Sequence, residues 1–106
     1  MGQRKYPPLT TAEIIAILLA RGFTFHKSSG DHNYYFHTVR GQKRIAQVDT
    51  GNPLYTETVI KLVLQQSGLT RDELYCSTKN TAKKINKKCA TDEELKNWAL
   101  EKKSPA

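Results

Sequence analysis

The chain has 106 residues and a mass of 12.0 kDa, enough for one hydrophobic core and one site but not for two independent domains. Seventeen Lys and Arg against ten Asp and Glu give a formal charge of +7 and a pI near 9.5, a balance suited to a polyanionic partner such as nucleic acid. The longest apolar run, Ile14 to Ala20, falls far short of the roughly 20 residues of a membrane span, and no secretory leader pattern opens the chain, so no membrane association and a cytoplasmic location are expected.

Gly2 to Pro8 is polar, basic and ends in prolines, which predicts a mobile arm. Thr10-Thr11-Ala12-Glu13 reads as a capping box, and Ile14, Ile15, Ile17, Leu18 and Leu19 cover more than one face of the helix that follows, predicted over 11–21 with Gly22 as its stop. From Phe23 to Phe36 two aromatic, alternating runs flank Ser29-Gly30, the signal for a hairpin. Pairing 23–28 with 31–36 places Phe23, Phe25 and Lys27 on one face with His32, Tyr34 and Phe36, so that four aromatics floor the core and a Lys-His pair ends it. His26 and His37 then lie on the opposite face.

Arg40-Gly41-Gln42 makes the next turn and Lys43 to Asp49 a third strand. After the break at Thr50-Gly51-Asn52-Pro53, Val59, Ile60, Leu62, Val63 and Leu64 recur at helical spacing from Thr56 until Gly68. Thr70-Arg71-Asp72-Glu73 caps a further predicted helix with Leu74, Thr78, Ala82 and Ile85 down one side. Lysines 79, 83, 84, 87 and 88 line its other side, either as a phosphate-contacting face or as an ordinary solvated one. Thr91-Asp92-Glu93-Glu94 caps a last helix with Leu95, Trp98 and Ala99 as its apolar stripe and Lys102 and Lys103 at its favourable dipole end; Trp98 either closes the core or waits for a partner. Cys76 and Cys89 form no Cys-x-x-Cys pair and are expected as free thiols.

Helix, three antiparallel strands and helix predict an α+β, two-layer α-β-β-β-α domain with both helices on one face of a three-stranded sheet, extended by C-terminal helices. This order resembles the double-stranded-RNA-binding fold. Gly22-Phe23, then Lys27, then Gly30-Asp31-His32 and Tyr35, together with Val59 to Leu74 ending in Gly68-Leu69-Thr70-Arg71-Asp72-Glu73-Leu74, resemble the HicA family of toxin ribonucleases over residues 9 to 75. Two positions depart from the family pattern: Asp31 stands where serine is usual, and Val48-Asp49-Thr50-Gly51 stands where many members have Val-Pro-x-His. On this resemblance residues 1–8 are a flexible arm, 9–75 the HicA-like domain and 76–106 a basic helical extension.

The resemblance implies an mRNA-cleaving endoribonuclease of a toxin-antitoxin system, acting without metal or cofactor through His32 and restrained by a HicB-like antitoxin. The chemistry suits the residue, since imidazole titrates near neutrality and can take the proton of a ribose 2′-hydroxyl. Lys27, Lys43 and Arg44 are candidates to meet charge on the phosphorane, with Lys83 and Lys84 as further RNA contacts. Gly30 shapes the turn, and Asp31 either caps it or orients the imidazole. With His26 and His37 across the sheet from His32, a three-histidine metal site is not expected. Two other readings fit the same residues: a non-catalytic RNA-binding module, and a basic interaction domain for an acidic protein.

Overall fold

The computed structural model describes residues 6–100. Its first helix, α1 (Thr11–Ala20), starts where its capping box requires: the Thr10 hydroxyl accepts from the Glu13 N–H, and the Glu13 carboxylate accepts from the Thr10 N–H at 2.8 Å. Ile14, Ile17 and Leu18 are fully buried, each worth roughly 1.5–3 kcal/mol of transfer free energy. Just before it, β1 (Leu9–Thr10) pairs with β5 (Leu54–Tyr55), a two-residue antiparallel bridge that local sequence does not announce.

Three strands form the main antiparallel sheet in the order β2 (Thr24–Ser29), β3 (His32–Val39), β4 (Gln42–Asp49). β3 and β4 pair without a break from Val39 opposite Gln42 to His32 opposite Asp49. β2 and β3 pair Ser29 with His32 and Lys27 with Tyr34, but then Phe25 with Tyr35, so His26 is the extra residue of a β-bulge. The bulge corrects the predicted face assignment. Phe25 moves to the face of Tyr35, against whose ring it packs edge-on at 5.9 Å, while Lys27 stays with Tyr34 and His32. His26 lies with Phe36, ring centroids 6.3 Å apart, on the His32 face rather than opposite it.

Of the four aromatics expected to floor the core, Phe23 is buried and Phe25, Tyr34 and Phe36 are not. Tyr35, Val39, Ala46 and Val48 are the buried sheet residues, so period-two alternation turns His32, Tyr34, Phe36 and Ile45 toward solvent. All covering helices lie on the Tyr35 face: α1 and α2 (Glu57–Ser67) against β4, and α5 (Asp92–Leu100) against β3. β4 is an edge strand whose outward amides are capped by side chains, Gln47 N–H by Gln66 Oε1 at 2.9 Å and Asp49 N–H by the Tyr55 hydroxyl at 2.6 Å, which blocks pairing with another chain. Gly68 ends α2 at φ 84°, the left-handed C′ position, and a Cβ there would come within 2.9 Å of Arg44 Nε.

The single helix expected after Thr70 is instead two short ones, α3 (Arg71–Tyr75) and α4 (Lys79–Lys84). Thr78 N-caps the second, its hydroxyl accepting from Thr81 N–H at 3.3 Å, which ends continuation across Cys76 to Thr78. Leu74, Ala82 and Ile85 remain buried as the pattern implied. Tyr6 to Pro8, read as part of an arm, are docked: the Tyr6 ring packs tilted against Tyr75 at 5.2 Å and its hydroxyl donates to Asp72 Oδ1, and the Pro7 carbonyl accepts from the Tyr75 hydroxyl. The rest of that arm, Gly2 to Lys5, and Lys102 and Lys103 lie outside the described residues. Cys76 and Cys89 are both free thiols, and among the described residues no helix is long and apolar enough to cross a membrane.

Trp98 closes the core. It is 4% exposed, stacks on His37 at 6.2 Å, touches Phe23 and lies under the Arg21 guanidinium at 5.2 Å. Arg21 in turn donates to Ser77 Oγ and the Glu73 carbonyl, tying the end of α1 to α3 and α5. Trp98→Ala should lower the unfolding free energy by about 3–5 kcal/mol, and Trp98→Phe by much less because the indole N–H has no partner, a difference read from urea unfolding. Burial holds His37 below its usual 6.5, so the unfolded chain binds more protons just below that pH. Stability should therefore fall as pH drops from about 6.5 through the lower folded value. His37→Gln should flatten that slope in unfolding curves taken between about pH 7 and 5.

Candidate active site

The two-residue turn Gly30–Asp31, with Gly30 at φ 61°, delivers His32 as the first residue of β3, facing Ser29 on one neighbour and Asp49 on the other. His32 Nε2 stands 4.0 Å from Asp49 Oδ2, the two side chains being 40% and 43% exposed. That is an ion-pair distance rather than a hydrogen bond; shortening it by about 1 Å would make a charge-assisted one. The carboxylate is held for this role from behind, because the Gly51 N–H donates to Asp49 Oδ1 at 2.9 Å and leaves Oδ2 toward the imidazole. A shallow cavity of about 250 Å³ opens beside the pair, with His32, Gln47 and Asp49 on the sheet side and Val59, Leu62 and Gln66 on α2. Burial raises the Tyr55 hydroxyl, which lines the same cavity, above its usual value and keeps it neutral.

Asp31 acts in the turn through its main chain. Its carbonyl accepts from the Thr50 N–H at 2.7 Å and the Thr50 hydroxyl at 2.8 Å, which latches the first hairpin to the end of β4. Its carboxylate lies by Gly51, where a Cβ would come 3.3 Å from Asp31 Oδ2 and 3.4 Å from Asp49 Oδ1. The residue facing the imidazole is Asp49, which ends the third strand and is not among the site residues expected from the sequence. A signal for it was present: the two-residue turn Arg40-Gly41 sets Val39 opposite Gln42, and counting back along both strands brings Asp49 opposite His32.

The predicted cations separate into three groups. Lys27 shares the His32 face, its Nζ 5.6 Å from the Tyr34 ring centroid. Lys43 is on that face too, but six residues from Asp49 along β4, about 20 Å at the rise of a strand. Arg44 points inward instead, where it donates to the Gln65 carbonyl at 3.0 Å and packs on Gly68; it satisfies the end of α2 and is not aimed at a phosphate beside His32. On α4, Lys83 is exposed, while Lys84 bonds Glu13 at 3.1 Å and the Pro8 carbonyl at 3.3 Å. Burial alone would raise Glu13, but the Thr10 amide and Lys84 outweigh it and the carboxyl is lowered, so Lys84 serves the α1 cap. Among the described residues no three of His, Cys, Asp and Glu converge to hold a metal ion.

No family model, curated protein or solved structure matches this chain.

The division of labour between the two aspartates is measurable. Asp31→Ser should change stability by no more than about 0.5 kcal/mol, because the contact to Thr50 comes from the backbone carbonyl. Asp49→Ala should cost about 1 kcal/mol through the lost Gly51 acceptor, both values from urea unfolding midpoints.

Proposed function

We propose that this chain is a metal-independent ribonuclease of the HicA-like toxin class, cleaving mRNA through His32 and restrained by a HicB-like antitoxin. The observation that carries the reading is the pairing of a half-exposed imidazole with a carboxylate fixed by its own turn, beside an open cavity on the solvent face of the sheet. An imidazole oriented through Nε2 by Asp49 presents Nδ1 to accept the proton of a ribose 2′-hydroxyl as that oxygen attacks the adjacent phosphorus. The 2′-oxygen-to-phosphorus bond forms, the bond to the 5′-oxygen of the next nucleotide breaks, and the leaving oxygen takes a proton from imidazolium or water. Asp49 stabilises the imidazolium between these steps, and Lys27 is the strand cation placed to meet charge on the phosphorane. In this reading the α-β-β-β-α order is a double-stranded-RNA-binding-like arrangement, and an antitoxin inhibits by covering the face around Lys27 and His32.

A non-catalytic RNA-binding module is the second reading. It is favoured by Gly51 standing where the family pattern has a second histidine and by the engagement of Arg44 in the fold. Labelled single-stranded RNA incubated in EDTA with wild type, His32→Ala and Asp49→Asn separates the two. The ribonuclease reading expects cleavage by wild type, a loss of about a hundredfold or more in His32→Ala, and a smaller loss in Asp49→Asn. Intact RNA with all three proteins, bound with a steep salt dependence, would instead establish the binding module.

A further inference from the structure

Among the described residues no helix lies across the sheet face that carries His32, α2 reaching only its Asp49 edge, and the composition of that face is neither that of a core nor that of a plain solvated surface. Tyr34 and Phe36 stand two residues apart on the central strand, about 7 Å at the rise of a strand, with only polar or charged side chains and Ile45 about them. Ile45, opposite Phe36, is 47% exposed, and the bulged His26 brings its ring to 6.3 Å from Phe36. Lys27 lies across from Tyr34 and Lys43 across from Thr38, one toward each end of this row, while the sole carboxylate of the paired strand residues here is Asp49, engaged by Gly51 beside His32.

We infer that this face is a stacking platform for single-stranded RNA, in which successive bases lie on Tyr34 and Phe36 and the phosphates are met by Lys27 and Lys43. The inference rests on the ribonuclease reading, and it specifies the form of its substrate: an unpaired strand running along β3, with the scissile phosphate at the His32 end. The choice of occupant follows from two features. The rings are separated by hydrogen-bonding groups rather than joined in one apolar patch, which suits bases, whose faces stack and whose edges need polar partners, better than a hydrophobic protein surface. The flanking charge is cationic, complementary to a phosphate backbone. A duplex cannot lay its bases on the rings, because they are already stacked inside it.

The test uses the full-length chain carrying His32→Ala, so that RNA stays intact, and a twelve-nucleotide single strand containing 2-aminopurine. Binding should change the 2-aminopurine fluorescence, and adding Tyr34→Ala and Phe36→Ala together should weaken affinity by about tenfold or more and abolish that change. Both side chains face solvent, and an unaltered melting curve verifies the fold. Lys27→Ala with Lys43→Ala should lower the slope of log affinity against log salt by about 1.4, whereas Lys96→Ala on α5, away from this face, should not. Unchanged affinity and fluorescence in the double aromatic variant would overturn the platform and leave the face to a protein partner or to none. Equal affinity for a duplex of the same sequence would overturn it also. The two readings fail separately: cleavage by a chain lacking both rings at the wild-type rate removes the platform and keeps the nuclease, and ring-dependent binding without cleavage by wild type does the reverse.

Discussion

The register of the three-stranded sheet is the constraint on which the remaining structure depends. Tyr35, Ala46 and Val48 must face the helices to be buried, and because side chains alternate, that single requirement sends His32, Tyr34, Phe36, Ile45 and Asp49 to the other side together. A slip of one residue would exchange the two sets and bury an imidazole and a carboxylate. The register is secured at both ends of β3: Arg40 N–H donates to the Ala99 carbonyl at 2.9 Å, and the Asp31 carbonyl holds Thr50. The same contacts that fold the sheet therefore set the distance between His32 and Asp49.

Coverage on one side follows from how the termini are used. Residues 6–8 pack onto α3, through Tyr6 on Tyr75, and α5 packs onto the sheet, through Trp98 on His37. Arg21 and Arg44, two of the cations in this basic chain, direct donors to helix ends, Ser77 and Gln42, although Arg44 Nε is buried without an acceptor. Buried guanidinium groups need such acceptors, since a charge inside the fold costs several kcal/mol when left unpaired. The charge that remains on the open sheet face is accordingly modest, carried by Lys27 and Lys43, and positioned rather than abundant.

Features that depend on neighbouring residues were legible in the sequence: the caps at Thr10, Thr70 and Thr91, the apolar spacing of α1 and α2, the stop at Gly68 and the turn at Arg40-Gly41, whereas the first hairpin turns one residue later than expected, at Gly30–Asp31, and sets Ser29 rather than Lys27 opposite His32. Features decided by distant residues were not. The bulge at His26 changes which face Phe25 occupies, and strict alternation has no means of announcing it. Arg44 reads as an available cation until the C-terminus of α2 is placed over it. The break between α3 and α4 lay within reach, because Thr78 and Thr81 are residues that prefer caps to helix interiors. In the site, His32 stood out from its turn, whereas Asp49 required the second hairpin to be counted through to its end.

If His32 acts on a ribose hydroxyl, the reaction consumes the 2′-oxygen of the nucleotide on the 5′ side of the cut. The most direct measurement compares a short RNA carrying one 2′-deoxy nucleotide at the mapped cleavage site with the same RNA unmodified, both in EDTA. Loss of cutting at that site alone, with 2′,3′-cyclic phosphate ends on products from the unmodified strand, is the predicted result. Cutting that continues at the deoxy position, or products ending in a 3′-hydroxyl, would contradict a mechanism in which His32 activates the 2′-oxygen.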